Sequence, residues 1–178
     1  MTSRWDQLIT YVEKIQDSAL KDAILRFLYI YRDQIETWPA SLRHHCNYPG
    51  GLLEHTIHVV ELALKIADLI GYKRRDEVIA SAVLHDIGKV LDYVENLDDP
   101  VGFSDNPDKW GPHEVTGIQW FQNVTGYVLP LRVARAILGH MGGWSRSSVY
   151  PEDLLGAILH AADLLASRLE EARKKEGG

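Results

Sequence analysis

Between Leu52 and Gly71 the apolar residues fall on two helical stripes rather than one, and this limits the possible folds more than any other stretch of the chain. Leu53, Ile57, Val60, Leu64 and Ala67 make the first stripe; Val59, Leu62, Ile66 and Leu69 make the second. A helix that is apolar on most of its circumference has to be covered on most of it, so the segment predicts a central helix with others packed around it. Gly71 is a natural left-handed cap for its end. The rest of the chain supplies the partners. Ser3 can cap a helix from about Arg4 to Asp17, with Trp5, Leu8, Tyr11, Val12 and Ile15 on one face. Ser18 can cap a second that stops at Trp38, because Pro39 disfavours helical geometry in the residue before it. Further helices are expected over Asp76–His85, from His113 to about Asn123 behind Pro112, and from Pro130 to near Met141. The last follows Pro151, with Glu152 and Asp153 in its first turn. No segment alternates convincingly as a strand, so the fold class is all-α, one helical domain of about seven to eight helices.

Within that domain, residues 1–38 are expected to form a helical pair packed on a core spanning 39–170. The charged tail from Glu170, and 171–178 above all, is expected to fray. Leu97–Gly111, rich in Asp, Pro, Gly and Asn, reads as an exposed loop of the kind that serves as a lid.

Charge narrows the partners. Nineteen basic against twenty-five acidic residues give the 178-residue chain a net charge of -6, which argues against a basic face gripping long duplex nucleic acid and leaves room for a local basic rim around a pocket. The single cysteine, Cys46, rules out an intrachain disulfide, suits a reducing compartment and reads as an inert thiol. The N-terminus has no apolar core, and the longest apolar stretch, Leu154–Ala166, is too short and too polar to span a bilayer. The expectation is a cytoplasmic protein without a membrane partner. Phe27, Leu28, Tyr29, Ile30 and Tyr31 put large apolar groups on more than one helical face. Such a helix is buried twice within a fold or used at a subunit interface, and the reading leans to a homodimer.

The chemistry lies in polar residues placed where they ought to be costly. Asp163 sits in Leu-Leu-Gly-Ala-Ile-Leu-His-Ala-Ala-Asp-Leu-Leu-Ala, and His55 in the central helix. A carboxylate or imidazole buried there needs a cation or hydrogen bonds to compensate it. Taken singly, each histidine is more simply structural or solvated. Taken with the adjacent pair His85-Asp86, and with His113 and His140 at helix ends, the set is what a borderline divalent metal accepts.

Leu84-His85-Asp86-Ile87-Gly88-Lys89 resembles the signature of the HD superfamily of metal-dependent phosphohydrolases, and the likeness runs over roughly residues 40–168. His44-His45-Cys46-Asn47-Tyr48-Pro49-Gly50-Gly51-Leu52-Leu53-Glu54-His55-Thr56, with Leu159-His160-Ala161-Ala162-Asp163, resembles the branch holding the HD domain of bacterial 3′-to-5′ exoribonucleases. The resemblance implies an HD-type helical domain whose first metal is held by His55, His85, Asp86 and Asp163. In two-metal members the aspartate of the pair bridges, and His113 and His140 stand in the right order to complete a second site. The cofactor is then one or two divalent ions, from among Mn, Fe, Ni, Co, Zn and Mg. Asp86 and Lys89 are the expected catalytic residues, Lys89 facing the substrate; otherwise Lys89 caps a helix end. Gly88 is expected to permit the turn. His45 and, less directly, His44 would line the pocket mouth, or else belong to a polar loop. Trp144 could stack on a nucleobase or simply pack. His160 could orient a ligand or be a satisfied core histidine, and His58 is expected beside the site or in solvent. Trp110 and Phe103 could close over substrate.

The function so implied is hydrolysis of a phosphoester of a nucleotide or short oligonucleotide, by a phosphodiesterase using a metal-activated water. The exoribonucleases carry an additional nucleic-acid-binding domain, whereas here two apparent helices precede the catalytic segment. That departure keeps open a mononuclear nucleotidase or deoxynucleotide triphosphohydrolase needing only His55, His85, Asp86 and Asp163. A di-iron oxygenase of the same superfamily would use the same ligand order, and a non-catalytic binding module would have no need of the intact set.

Overall fold

The computed structural model describes residues 3–144 and 149–176. In chain order these form α1 (Arg4–Val12), α2 (Ser18–Ile30), α3 (Arg32–Thr37), α4 (Gly51–Ile70), α5 (Arg75–Leu84) and α6 (Lys89–Asp92). A small hairpin of β1 (Tyr93–Glu95) and β2 (Phe103–Asp105) follows, then α7 (His113–Thr125), α8 (Leu131–Gly139), a 3-10 turn (Gly142–Trp144) and α9 (Leu154–Glu176). Among the described residues no helix is long and apolar enough to cross a membrane.

α4 is the central helix, packed on α1, α3, α5 and α9. Its first half is covered on nearly every side, from Gly51 through Val60, and Gly71 closes it in the left-handed region with φ 73°. The second apolar stripe fades along the helix: Val59 is buried, Leu62 and Ile66 are partly covered, and Leu69 stands in solvent. Thus the fully buried end of α4 is the end that carries His55.

Several boundaries fall differently from expectation. α1 is capped by Ser3, whose hydroxyl accepts from the Asp6 amide, but it ends at Val12. The turn after it is held from outside, because one Asp76 carboxylate oxygen accepts from both the Gln16 and Asp17 amides. Asp17, not Ser18, caps α2. The expected long second helix breaks at Tyr31, whose ring packs between Phe27 and Trp120 at 5.0 and 4.2 Å and whose hydroxyl accepts from the Trp120 indole. Asp153 does not enter α9 but caps it, accepting from the Gly156 amide.

The expected structureless loop Leu97–Gly111 is partly a hairpin, with Tyr93 opposite Asp105 and Glu95 opposite Phe103. Its three-residue strands are too short to show an alternating pattern. Phe103 is buried against Trp38 at 5.0 Å, which corrects its expected role over the substrate, and Trp110 is exposed. The expected fraying from Glu170 is corrected too: α9 stays helical to Glu176, and Lys174 reaches Asn47. Gly177 and Gly178 lie outside the described residues.

The core is continuous from the first helices to the last, with Trp5, Leu8, Phe27 and Ile35 in one cluster with Val60, Ile79, Phe121, Ile137 and Leu159. Phe27 is fully buried and meets Tyr31, Trp120 and Phe121. Phe27→Ala is expected to cost about 3–5 kcal/mol, the range for emptying an aromatic site in a packed core. Urea unfolding should show the loss as a lower midpoint with the helical signal intact in buffer.

Candidate metal centre

Six of the sequence-selected residues meet at one place because five helices end or cross there. α4 contributes His55 and α9 Asp163; the turn after α5 contributes His85 and Asp86; α7 begins with His113, and His140 directly follows α8. The turn between α5 and α6 is where the fold is tightest. Gly88 has a helical φ of -63°, so the expected need for an unusual turn conformation is corrected. What Gly88 provides is room: a Cβ there would lie 2.1 Å from the His113 carbonyl oxygen and 2.9 Å from the Gly117 amide nitrogen. Two glycines face to face bring the start of α7, and with it His113, onto the Asp86 turn.

His85 and His140 are held alike. Each follows its helix, and its Nδ1 donates to the carbonyl three residues back, to Ala82 at 2.7 Å and to Ile137 at 2.6 Å. A carbonyl only accepts, so in the neutral ring Nδ1 carries the proton and Nε2 presents its lone pair inward. His160 supports the second of these, its Nδ1 donating to the His140 carbonyl at 2.6 Å. The sequence had left His160 between orienting a ligand and filling the core; it holds the backbone of the residue that faces the site.

The inward nitrogens gather around two carboxylates. His55 Nε2 lies 3.1 Å from Asp163 Oδ1 and 3.7 Å from Asp86 Oδ2, and His85 Nε2 lies 3.9 and 3.5 Å from the same two oxygens. On the other side of Asp86, Oδ1 is 3.1 Å from His113 Nε2 and 3.5 Å from His140 Nε2, and those two nitrogens are 3.4 Å apart. His55, His85 and Asp163 form one group with ligand spacing; Asp86, His113 and His140 form another. The donors fit a divalent cation on one further observation. His85 Nε2 and Asp86 Oδ1 are buried and make no hydrogen bond among the described residues, the condition a positive ion would relieve.

Burial and charge act against each other throughout the site. Burial holds the His85 imidazole down to about 4, so the ring is neutral at ordinary pH. Burial also opposes charge on His55, but hydrogen bonds to Asp163 and Glu170 outweigh it and raise that ring to about 9. Asp86 resists its own burial because Lys89 and the surrounding histidines hold it well below the usual carboxylate range. Asp163 is likewise held down, chiefly by the hydrogen bond from His55.

A cavity of about 520 Å³ opens beside these groups. Lys89 is buried in its wall, its Nζ 2.8 Å from Asp86 Oδ2. It begins α6 rather than capping a helix end, so that alternative is corrected. His45 reaches the wall half-buried, its ring 4.5 Å from that of His55, while His44 and Trp144 are exposed at the rim. Trp144 does not pack into the core.

Three acidic residues were missed in the sequence. Glu170 has a nearly covered side chain with two histidines on it; Asp92 is buried with its Oδ2 3.5 Å from Lys109 and 3.9 Å from His113 Nδ1; Glu114 lies 3.6 Å from the same nitrogen. Glu170 was hidden in a charged tail, and Asp92 and Glu114 in polar surroundings. One available signal was spacing: Glu170 follows Asp163 by two helical turns and so shares its face.

Comparison with known proteins supplies an independent view. A family model described as HD domain matches residues 52–168. The chain is 30% identical to the dihydroneopterin 2′,3′-cyclic phosphate phosphodiesterase of Methanocaldococcus jannaschii over 93% of its own length and 70% of that protein. It is 32% identical to the 3′-5′ exoribonuclease YhaM of Listeria monocytogenes over 49% of its length, which spans 28% of that protein. With the corresponding enzyme of Bacillus pumilus it shares 27% over 48% of its length. No solved structure matches the chain.

The Gly88 contact generates a test of its own. Gly88→Ala is expected to destabilise the protein by about 1–3 kcal/mol, because the added methyl has backbone rather than a flexible side chain in its way. Urea unfolding measures the cost, and histidine NMR should show His113 moved more than His55.

Proposed function

This chain belongs to the HD-domain family, and from that premise we propose that it is a two-metal phosphodiesterase acting on a small, nucleotide-like phosphodiester. His55, His85, Asp86 and Asp163 hold one divalent cation; Asp86, His113 and His140 hold the other. The observation that carries this reading is how the Asp86 oxygens are shared, Oδ2 towards His55 and His85, Oδ1 towards His113 and His140. A mononuclear enzyme has no use for the second pair, and their closely spaced Nε2 atoms favour two ions over one.

Cations held there supply a water nucleophile near neutral pH and offset the charge that builds on phosphate oxygens. The residues do the rest. Asp86 stays ionised through the physiological range and keeps both oxygens available. Lys89, fixed on Asp86 and in the cavity wall, stays cationic because that carboxylate outweighs its burial, and it is placed to take a phosphate oxygen. His45 is kept neutral, its ring pushed down to about 4 by burial and by the neighbouring His55. It serves as a hydrogen-bonding wall rather than a charge. Trp144 at the rim offers a flat face for a heterocycle.

Size and likeness support the substrate class. A cavity of about 520 Å³ lies within the range for small-molecule sites. The similarity to the cyclic phosphate phosphodiesterase extends over 93% of the chain, against 49% for the exoribonuclease. Both favour a cyclic or otherwise short phosphodiester over a long RNA, as does the net charge of -6.

A mass-spectrometric screen tests the proposal. Manganese-loaded protein is offered 2′,3′-cyclic phosphates of nucleosides and of dihydroneopterin, mononucleotides, and short RNA. Opening of cyclic phosphates to monoesters is the expected result; release of phosphate or triphosphate from mononucleotides alone would overturn it. Asp86→Ala should lose metal-dependent turnover while circular dichroism still reports a helical protein, and full activity in that variant would sink the two-metal assignment.

A further inference from the structure

We propose that Glu170, two residues beyond the stretch the family model matches, is a positioning residue that fixes the tautomer of His55. The proposal rests on the metal-ligand role given to His55 above. His55 differs from His85 and His140 in where it sits. Those two follow the ends of α5 and α8 and find a carbonyl of their own helix to hold Nδ1. His55 lies inside α4, where the nearby carbonyls are already committed to the helical ladder. Its Nδ1 therefore needs an acceptor from another element, and α9 provides one.

Glu170 places Oε2 at 3.2 Å and Oε1 at 3.3 Å from His55 Nδ1, with its side chain only 6% exposed. An ionised carboxylate accepts and cannot donate, so Glu170 holds a hydrogen on Nδ1 and leaves Nε2, which donates to Asp163 Oδ1 at 3.1 Å, as the nitrogen whose hydrogen a bound cation would replace. The opposite tautomer would set a lone pair against two carboxylate oxygens and aim an N–H at the metal position. Glu170 follows Asp163 by seven positions, so α9 presents the two carboxylates on one face, one to each side of the same imidazole. The acceptor is itself held in place: His58, three residues after His55 on α4, donates from Nδ1 to Glu170 Oε1 at 2.7 Å. The chain His58–Glu170–His55 thus orients a metal ligand from a helix that also supplies another one.

Carboxylates bonded to ligating histidines typically change metal affinity by about 10–100-fold when removed. Manganese affinity and stoichiometry are to be measured by calorimetry on the full chain for the wild type, Glu170→Ala, Glu170→Gln and His58→Ala, with circular dichroism as the check on folding. Glu170→Ala is expected to weaken manganese binding by about 10–100-fold. Glu170→Gln keeps an acceptor but loses the charge, so its affinity should fall between wild type and alanine, and His58→Ala should change least. Nitrogen-15 NMR of the histidines in the zinc-loaded protein should show the Nδ1–H form of His55 in the wild type and a mixed population in Glu170→Ala, a change that loose packing alone would not produce. Wild-type manganese affinity in a folded Glu170→Ala overturns the proposal; if alanine fails to fold, wild-type affinity in the isosteric Glu170→Gln does so. A wild-type chain that binds no manganese would overturn the metal-centre reading itself, a result distinct from an unaffected Glu170 variant.

Discussion

A carboxylate with 2% of its surface exposed, Asp86, is the constraint around which the molecule is arranged. Taking an ion of that kind out of water costs several kcal/mol after all relaxation, and the cost is recovered only by charges and donors in good geometry. The compensating groups come from every part of the chain: Lys89 from the start of α6, His55 from α4, His113 from α7 and His140 from beyond α8. The helices cannot shift independently without leaving that charge uncompensated. This is a physical reason for the close packing of α4 with α5 and α9, and for the glycine pair that admits α7.

Two acidic residues on α9 extend the same logic. Asp163 and Glu170 are both carboxylates within a predominantly apolar interface with α4, and both are held ionised by the imidazole between them. In a low-dielectric interior such alternation of charge is worth far more than the same groups would be on the surface. It also leaves His55 with less freedom than its neighbours, since both of its nitrogens are spoken for. The site opens to solvent through the cavity, whose wall includes His44, Trp144, Tyr93 and the Asp163 face of α9.

Much of this was legible from the residues alone, for a reason that can be stated. Periodicity reports burial, so the central helix could be read from Leu52 to Gly71. A polar residue that breaks such a pattern, as His55 and Asp163 do, announces that something compensates it. A polar residue among polar neighbours breaks no pattern: Glu170 in Arg-Leu-Glu-Glu-Ala-Arg reads as solvated, though α4 lies over it. Nor could local sequence distinguish a glycine needed for its φ from one needed for its missing side chain. Gly88 is the second kind, and only the position of His113 reveals it. The break at Tyr31 is similar, since the Trp120 it meets is supplied by a distant helix. The hairpin was missed because three-residue strands fall below the length at which alternation means anything.

Three of the four histidines of the centre fall into two kinds, and the difference bears on how sequences like this one can drift. His85 and His140 are braced by the Ala82 and Ile137 carbonyls, which any amino acid would supply, so the side chains at those two positions do not set the ring orientation. His55 is braced by a side chain 115 positions away. A change at Glu170 cannot be absorbed locally; it calls for a matching change near His55 or His58. Evolution should therefore leave a paired trace between α4 and the end of α9.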